Sequence, residues 1–431
     1  MHRNKSSIRC ILALLLLLVV DYARPCSMFK ITLFGKTMVG NNEDAWRVGS
    51  RIWFETGKGG CFGAAYVGHN DGLPQGGLNE AGLVYDGFAV YRRTLKPATG
   101  KKKIEDPGGF LKSILQQCAS IREVQNFVHQ YDRSRFNGSM LLFADKSGHY
   151  LVVEADTTIA GQNEKYVLSN FCPSQTPHPE EVKIERYRRG MAFLQNKEDT
   201  SLRFCTSMMD TMHECRAKIG DGTTYTTIYD LTEKLIYLYF YHDYRHCISF
   251  NLQGELLKGD HAFLMSDLFP PNPEYIRYTR FNTPFTNTRM RIILNLVMAF
   301  LILSLPCYLL IFLRDHKRKV RAPGMRKYIF IGPVLLTMNL CLAYYTYQLL
   351  SNKAIFYFDT PYTEDGRWLL NLSSYCPVAL LFLFIPVMTF AVLYLRQSPL
   401  NKYYLALFIL NAIGYGILLA LFRYWGLYGI L

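Results

Sequence analysis

Four long apolar stretches in the last third of the chain, at 292–313, 328–350, 368–395 and 403–422, narrow what this sequence can become. Each is long enough to cross a bilayer as a helix. In hydrocarbon no water can bond an exposed backbone, so segments of this kind close their hydrogen bonds internally as helices. Ionisable residues are almost absent from the interiors of these stretches. That favours an anchoring or partner-binding role over a path for ions or protons.

The loops set an orientation. Arg314, Lys317, Arg318, Lys319, Arg321, Arg326 and Lys327 crowd the segment after the first stretch and assign it to the cytoplasm. The next loop carries Asp359, Glu364 and Asp365 and faces the other side, while Arg396 and Lys402 return the third loop to the inside. The N-terminus agrees. His2, Arg3, Lys5 and Arg9 precede an apolar run at 11–20, and Ala23 is the small residue a signal peptidase favours. Residues 1–25 therefore read as a secretory signal, with an uncleaved anchor as the alternative. Residues 26–285 follow as one extracytoplasmic domain and 286–431 as a four-helix transmembrane domain. Arg24 and Pro25 stand where a lipidation signal needs small residues, so Cys26 is not expected to carry lipid.

Composition matters at two points. The net charge of +14 raises a nucleic-acid reading, but the densest basic run lies between apolar stretches, where membrane topology accounts for it. Membrane lipid is the expected partner, and nucleic acid is not; the sequence names no protein partner. Of the eleven cysteines, Cys26, Cys61, Cys118, Cys172, Cys205, Cys215 and Cys247 fall in the exported region, where disulfides are permitted. Cys205 and Cys215 are close enough to pair, with buried thiols as the equal alternative. No Cys-x-x-Cys pair occurs, so neither zinc nor any other metal is indicated, and no organic cofactor is expected.

Residues 26–285 read as an α+β domain. A hairpin is expected from 28–34 and 37–41 about Gly35-Lys36, and a second from 140–144 and 149–154. Two helices follow Pro107. Phe110, Ile114 and Leu115 share a face of the first; the second opens on a capping box at Ser120 and Glu123, with Ile121, Val124, Phe127 and Val128 at helical spacing. A third helix is expected over 182–194, and strands over 224–231 and 235–241.

Cys26 stands where the mature chain is expected to start. Cleavage after Ala23 leaves Arg24-Pro25 in front of it, so a further trimming step, autocatalytic or not, is required. A cysteine so exposed joins a thiol to an α-amine of pKa about 8, which can take the thiol proton without a histidine. Cys26-Ser27-Met28-Phe29 followed by Gly40-Asn41-Asn42-Glu43-Asp44 resembles the opening of the choloylglycine hydrolase and penicillin V acylase group. It is equally similar to the acyl-coenzyme A:6-aminopenicillanic acid acyltransferase group. All are N-terminal-nucleophile (Ntn) hydrolases. Gly77-Leu78-Asn79-Glu80-Ala81-Gly82-Leu83, Val167-Leu168-Ser169-Asn170 and Glu185-Arg186-Tyr187-Arg188-Arg189 follow in the family order, so the resemblance covers residues 26–250.

The resemblance implies an αββα sandwich and hydrolysis of a linear amide through an acyl-enzyme. Cys26 would be the nucleophile and, through its amine, the base. Asp44 would hold the amine and thiol in place, Asn170 would donate to the oxyanion, and Ala89 would supply a second donor through its backbone N–H. Arg186 would favour the thiolate, and Asn79 reads as a turn residue. Where many bile-salt and penicillin V acylases carry arginine, this chain has Asn41, which argues against bile-salt specificity. The implied substrate is a small N-acyl amide, with an acyl chain set among aromatics such as Trp46, Trp53, Tyr66 and Phe88 if these are not simply core. Acyl transfer to an amine is a second reading. A non-catalytic receptor or scaffold that kept the fold is a third.

Overall fold

The computed structural model describes residues 26–431 except 46–47, 96–98, 196–198, 216–221, 319–329, 358–359, 365, 398–401 and 430–431. The expected signal and its cleavage point, Trp46, Lys319, Arg321, Arg326, Lys327, Asp359 and Asp365 lie outside the described residues. The chain divides into two units, with the division between Arg280 and Phe281.

Alternating burial builds the first unit. One antiparallel sheet runs β12 (Lys165–Ser169), β1 (Cys26–Leu33), β2 (Lys36–Ala45), β13 (Gly222–Asp230), β14 (Leu235–Phe240) and β15 (Asp243–Asn251). The other runs β11 (Thr158–Gly161), β10 (Tyr150–Val153), β9 (Ser139–Asp145), β6 (Leu83–Ala89), β5 (Pro74–Asn79), β4 (Ala64–Gly68), β3 (Arg51–Glu55) and β16 (His261–Leu264). A short parallel pair joins β7 (Lys102–Lys103) to β8 (Tyr131–Asp132).

Each sheet is buried on both faces, as its strands show. Phe29, Ile31 and Leu33 of β1 pack with Met208, Met209 and Met212 of helix Leu202–Met212 and with Tyr187 of helix Glu185–Leu194. Met28, one residue before Phe29, is equally buried but points the other way. On the second sheet Tyr66, Tyr85 and Phe143 pack with Ile114, Leu115 and Val124 of helices Pro107–Gln117 and Ile121–Val128. The inner faces meet where Phe54 of β3 lies 5.5 Å, ring to ring, from Phe250 of β15. The four layers form an αββα sandwich, the architecture that the resemblance implies. Ile114 is fully buried at the outer joint, so Ile114→Ala is expected to cost about 2–5 kcal/mol, read as a lower midpoint in denaturant melts.

Local signals account for several boundaries. Asp106 accepts from the Gly108 N–H at 2.9 Å ahead of Pro107, and Ser120 accepts from the Glu123 N–H at 3.4 Å while Glu123 reaches back to the Ala119 N–H at 2.6 Å. The third expected helix begins three residues late, at Glu185, and a separate 3₁₀ turn at Pro179–Glu181 precedes it. Trp53 and Tyr66 stack at 5.7 Å and belong to the helix-side core; Phe88 is buried as well. No disulfide joins Cys205 to Cys215, and Cys205 is a buried thiol.

In the second unit, three helical segments among the described residues are long and apolar enough to cross a membrane: Thr288–Arg314, Trp368–Arg396 and Tyr404–Tyr424. The stretch expected as the second of four spans forms helix Ile331–Ser351 but falls short of them in apolar character. Its polar residues face the other helices. Asn339 donates to Ser304 at 2.7 Å and to the Asn411 side chain at 2.8 Å, and accepts from the Tyr415 hydroxyl at 2.6 Å. Between helices in an apolar surround, such bonds are the means by which polar side chains are satisfied.

Candidate active site

The face assignment of β1 decides where the sulfur points. Phe29 and Ile31 turn outward to helices, so Cys26 turns inward, between the sheets. Cys26 is 3% exposed, and its cross-strand partner on β2 is Glu43. The thiol donates to Glu43 Oε2 at 3.4 Å, and the other carboxylate oxygen lies 3.4 Å from His69 Nε2. Asp86 of β6 is fully buried on the same seam, with Oδ1 accepting from the Gly87 N–H at 2.8 Å. Asp86 Oδ2, the Tyr225 hydroxyl and both polar atoms of the Asn41 amide are buried without a hydrogen-bond partner among the described residues. This end of the seam is polar.

These charges act on the sulfur. Burial, then the carboxylates of Glu43, Asp44 and Asp86, push the Cys26 thiol well above its ordinary value, and only the Asp44 backbone N–H pulls the other way. The charge of Arg186 is directed at the carboxylates of Asp44 and Glu214. The sulfur thus needs a base in contact with it to become a nucleophile. Burial also lifts Asp44 well above the ordinary carboxylate range, against Arg186 and the Thr223 hydroxyl, and lifts Asp86, with Glu43 adding to the effect.

The backbone of Cys26 is held from the other side of the sheet. Its N–H donates to Asn170 Oδ1 at 2.7 Å, and its carbonyl accepts from Ser169 Oγ at 2.9 Å and from Arg186 Nε at 3.4 Å. Asn170 stands just past the end of β12, which pairs with β1. Arg186 Nη2 donates to the same Asn170 oxygen. Asn170 Nδ2 donates to the Ala89 carbonyl at 2.8 Å. The guanidinium of Arg186 also lies 3.9 Å from Asp44 and 3.6 Å from Glu214. Asp44 accepts from the Thr223 hydroxyl.

The structure therefore brings all five expected residues, Cys26, Asp44, Ala89, Asn170 and Arg186, into one linked group. It also alters how they are linked. Asp44 is one residue along β2 from Glu43, so its carboxylate faces the helix layer and reaches Cys26 through Arg186 and its own backbone. The carboxylate in contact with the thiol is Glu43. Since the Asn170 amide already bonds Ala89, binding an oxyanion there calls for a shift of this amide or use of its second hydrogen. Asn79 is a turn residue: its amide caps the Leu115 and Cys118 carbonyls at 2.7 and 2.8 Å, and its oxygen accepts from the Ala81 and Leu83 N–H groups.

No protein-family model matches the chain, and no curated protein matches it in sequence. Among solved structures it is similar to penicillin V acylase from Agrobacterium tumefaciens, with 15% identity, a TM-score of 0.40, and coverage of 50% of this chain and 82% of that one. It is also similar to a mutant conjugated bile acid hydrolase from Clostridium perfringens, with 16% identity, a TM-score of 0.44, and coverage of 57% and 97%.

Proposed function

We propose that this protein hydrolyses a linear N-acyl amide with Cys26 as nucleophile, from a membrane-anchored domain on the extracytoplasmic side. The observation that carries the reading is the Cys26 residue itself. Its sulfur is directed into a polar seam, while Asn170 and Arg186 hold its nitrogen and carbonyl from behind. Removal of the residues ahead of Cys26 turns that nitrogen into an amine on the same residue as the thiol.

The chemistry follows from these positions. The amine takes the thiol proton, and sulfur adds to the amide carbonyl carbon. Negative charge gathers on the carbonyl oxygen, for which the Asn170 amide and the Ala89 N–H are the donors. The carbon–nitrogen bond breaks, and the leaving amine takes the proton from the α-ammonium. Water then adds to the thioester with the α-amine as base, releasing the carboxylic acid and restoring the thiol. Glu43 orients the thiol hydrogen and provides a second acceptor, backed by His69. The unpartnered Asn41 amide, Asp86 Oδ2 and Tyr225 hydroxyl suit the polar portion of a substrate. Interception of the thioester by an amine is the transferase variant of the same path, and product analysis with added amines separates the two.

N-terminal sequencing of the protein from native membranes tests the reading, and Cys26 is expected as the first residue. Alkylation of Cys26 by iodoacetamide supplies a pH test. A thiol held above its ordinary value is mostly protonated near neutrality. Its labelling is expected to rise roughly tenfold per pH unit between about pH 7 and about pH 9. Glu43→Gln removes one raising charge and is expected to speed labelling at neutral pH severalfold. A plateau already reached below neutrality contradicts the electrostatics described above.

A further inference from the structure

Three ligand-type side chains from distant parts of the sequence meet on the flank of the six-stranded sheet, outside the group built on Cys26. Cys215 Sγ, His242 Nε2 and a Glu274 carboxylate oxygen all lie within 4.8 Å of one another. Glu274 Oε2 is 2.6 Å from His242 Nε2 and 3.7 Å from Cys215 Sγ. Cys215 is exposed and the His242 side chain is only 6% exposed, so the site has a buried wall and an open side.

We propose that Cys215, His242 and Glu274 bind one divalent transition metal of the zinc class. A thiolate, an imidazole and a carboxylate form a donor set that suits zinc, cobalt or nickel and disfavours calcium or magnesium, which take oxygen ligands. Three protein ligands with the fourth position left to solvent are a common zinc arrangement. Bond lengths of about 2.3 Å to sulfur and about 2.0–2.2 Å to nitrogen and oxygen set tetrahedral neighbours roughly 3.3–3.6 Å apart. The sulfur–oxygen separation, 3.7 Å, needs to close by only about 0.2 Å. The nitrogen–oxygen pair, now bridged by a proton, opens by about 0.7 Å as the metal takes that proton's place. The imidazole proton moves to Nδ1, and the thiol loses its proton to solvent.

The framework around the three is already in place. His242 follows Tyr241 at the turn between β14 and β15, and both residues adopt left-handed backbone angles, φ 51° and 46°. Arg277 lies 3.8 Å from Glu274 Oε1, the oxygen turned away from the histidine, and leaves Oε2 toward the cluster. Cys215 follows Glu214, whose backbone exchanges bonds with Thr223 at 2.9 and 3.0 Å and whose carboxylate faces Arg186. A metal on Cys215 therefore fastens the segment that holds Arg186 against Asn170 and Cys26. Its role is to position that segment, and it stays apart from the reacting atoms.

The test uses the full-length protein in detergent, stripped with a chelator and titrated with Co(II) and then Zn(II). The expected result is one equivalent of Co(II) with a thiolate-to-cobalt charge-transfer band and four-coordinate visible bands, displaced by one equivalent of Zn(II). Cys215→Ser is expected to abolish the charge-transfer band, and His242→Gln to weaken binding more than about 100-fold. Thermal melts of both variants without metal establish that they fold, and the stoichiometry of the unaltered protein needs no variant. Absence of stoichiometric binding by the unaltered protein overturns the proposal. So does a charge-transfer band that survives Cys215→Ser, since it would place the metal on another cysteine.

Discussion

Cys26→Ala is expected to remove amide turnover almost entirely, by roughly a millionfold in kcat on the scale of hydrolases stripped of their nucleophile. The sulfur is the only atom of that side chain that can form the acyl-enzyme. Among the described residues, no other cysteine occupies the seam position that faces Glu43. The fold should persist, because the helix-side cores do not include this side chain. The measurement combines hydrolysis of a panel of N-acyl amides with mass spectrometry of the protein after an electrophilic acyl probe. Both signals vanish together in the variant. Retaining a single residue ahead of Cys26 is expected to act the same way, since it replaces a basic amine with an amide nitrogen. Turnover that survives either change is incompatible with the mechanism.

Asn170→Ala is expected to lower kcat by about 10²–10³-fold, the usual cost of losing a side-chain oxyanion donor. This substitution separates chemistry from reactivity of the sulfur. Glu43, Asp86 and the Asp44 backbone remain around the thiol, so iodoacetamide labelling of Cys26 is expected to stay within severalfold of the unaltered protein. Turnover within tenfold of normal would remove Asn170 from the chemistry. The two readouts moving together would instead mean that the Asn170 bonds to the Cys26 N–H and the Ala89 carbonyl mainly hold the strand ends in place.

Much of this arrangement was legible in the sequence, and its limits have physical causes. Alternation and capping exposed the first hairpin, the helices at 107–117 and 121–128, and the strands at 222–230 and 235–240. Short strands such as β3, β4 and β11 gave too little periodicity to stand out. The five residues taken from the resemblance do converge. Glu43 escaped notice through a slip of one residue in a turn. The sequence reading placed the hairpin turn at Gly35-Lys36, which sets Cys26 opposite Ala45. The structure turns at Phe34-Gly35, with φ 52° and 77°, and pairs Leu33 with Lys36, so Cys26 meets Glu43. In an antiparallel pair, one step in the turn displaces every cross-strand partner by two residues. His69 and Asp86 come from the other sheet, and no local pattern joins them to Cys26. The Cys215, His242 and Glu274 cluster has no compact spacing, which is why a search for close cysteine pairs passes over it. Within the second apolar stretch, the partners of Asn339, namely Ser304, Asn411 and Tyr415, lie on other helices, and local hydropathy does not register them.

The polar lining beside the sulfur also bears on how the sandwich loosens. The two outer joints, where helices lie on sheets, carry the large apolar clusters, so wetting them exposes hydrocarbon. At the Cys26 end of the middle joint, Asn41, Asp86 and Tyr225 offer hydrogen-bonding atoms that none of the described residues takes. Wetting that gap exchanges little apolar contact for several new bonds, so thermal breathing should concentrate there. Amide protons at the ends of β1 and β2 would then exchange with solvent sooner than those beneath the helices, and the same slack would let a substrate slip between the layers without unseating them.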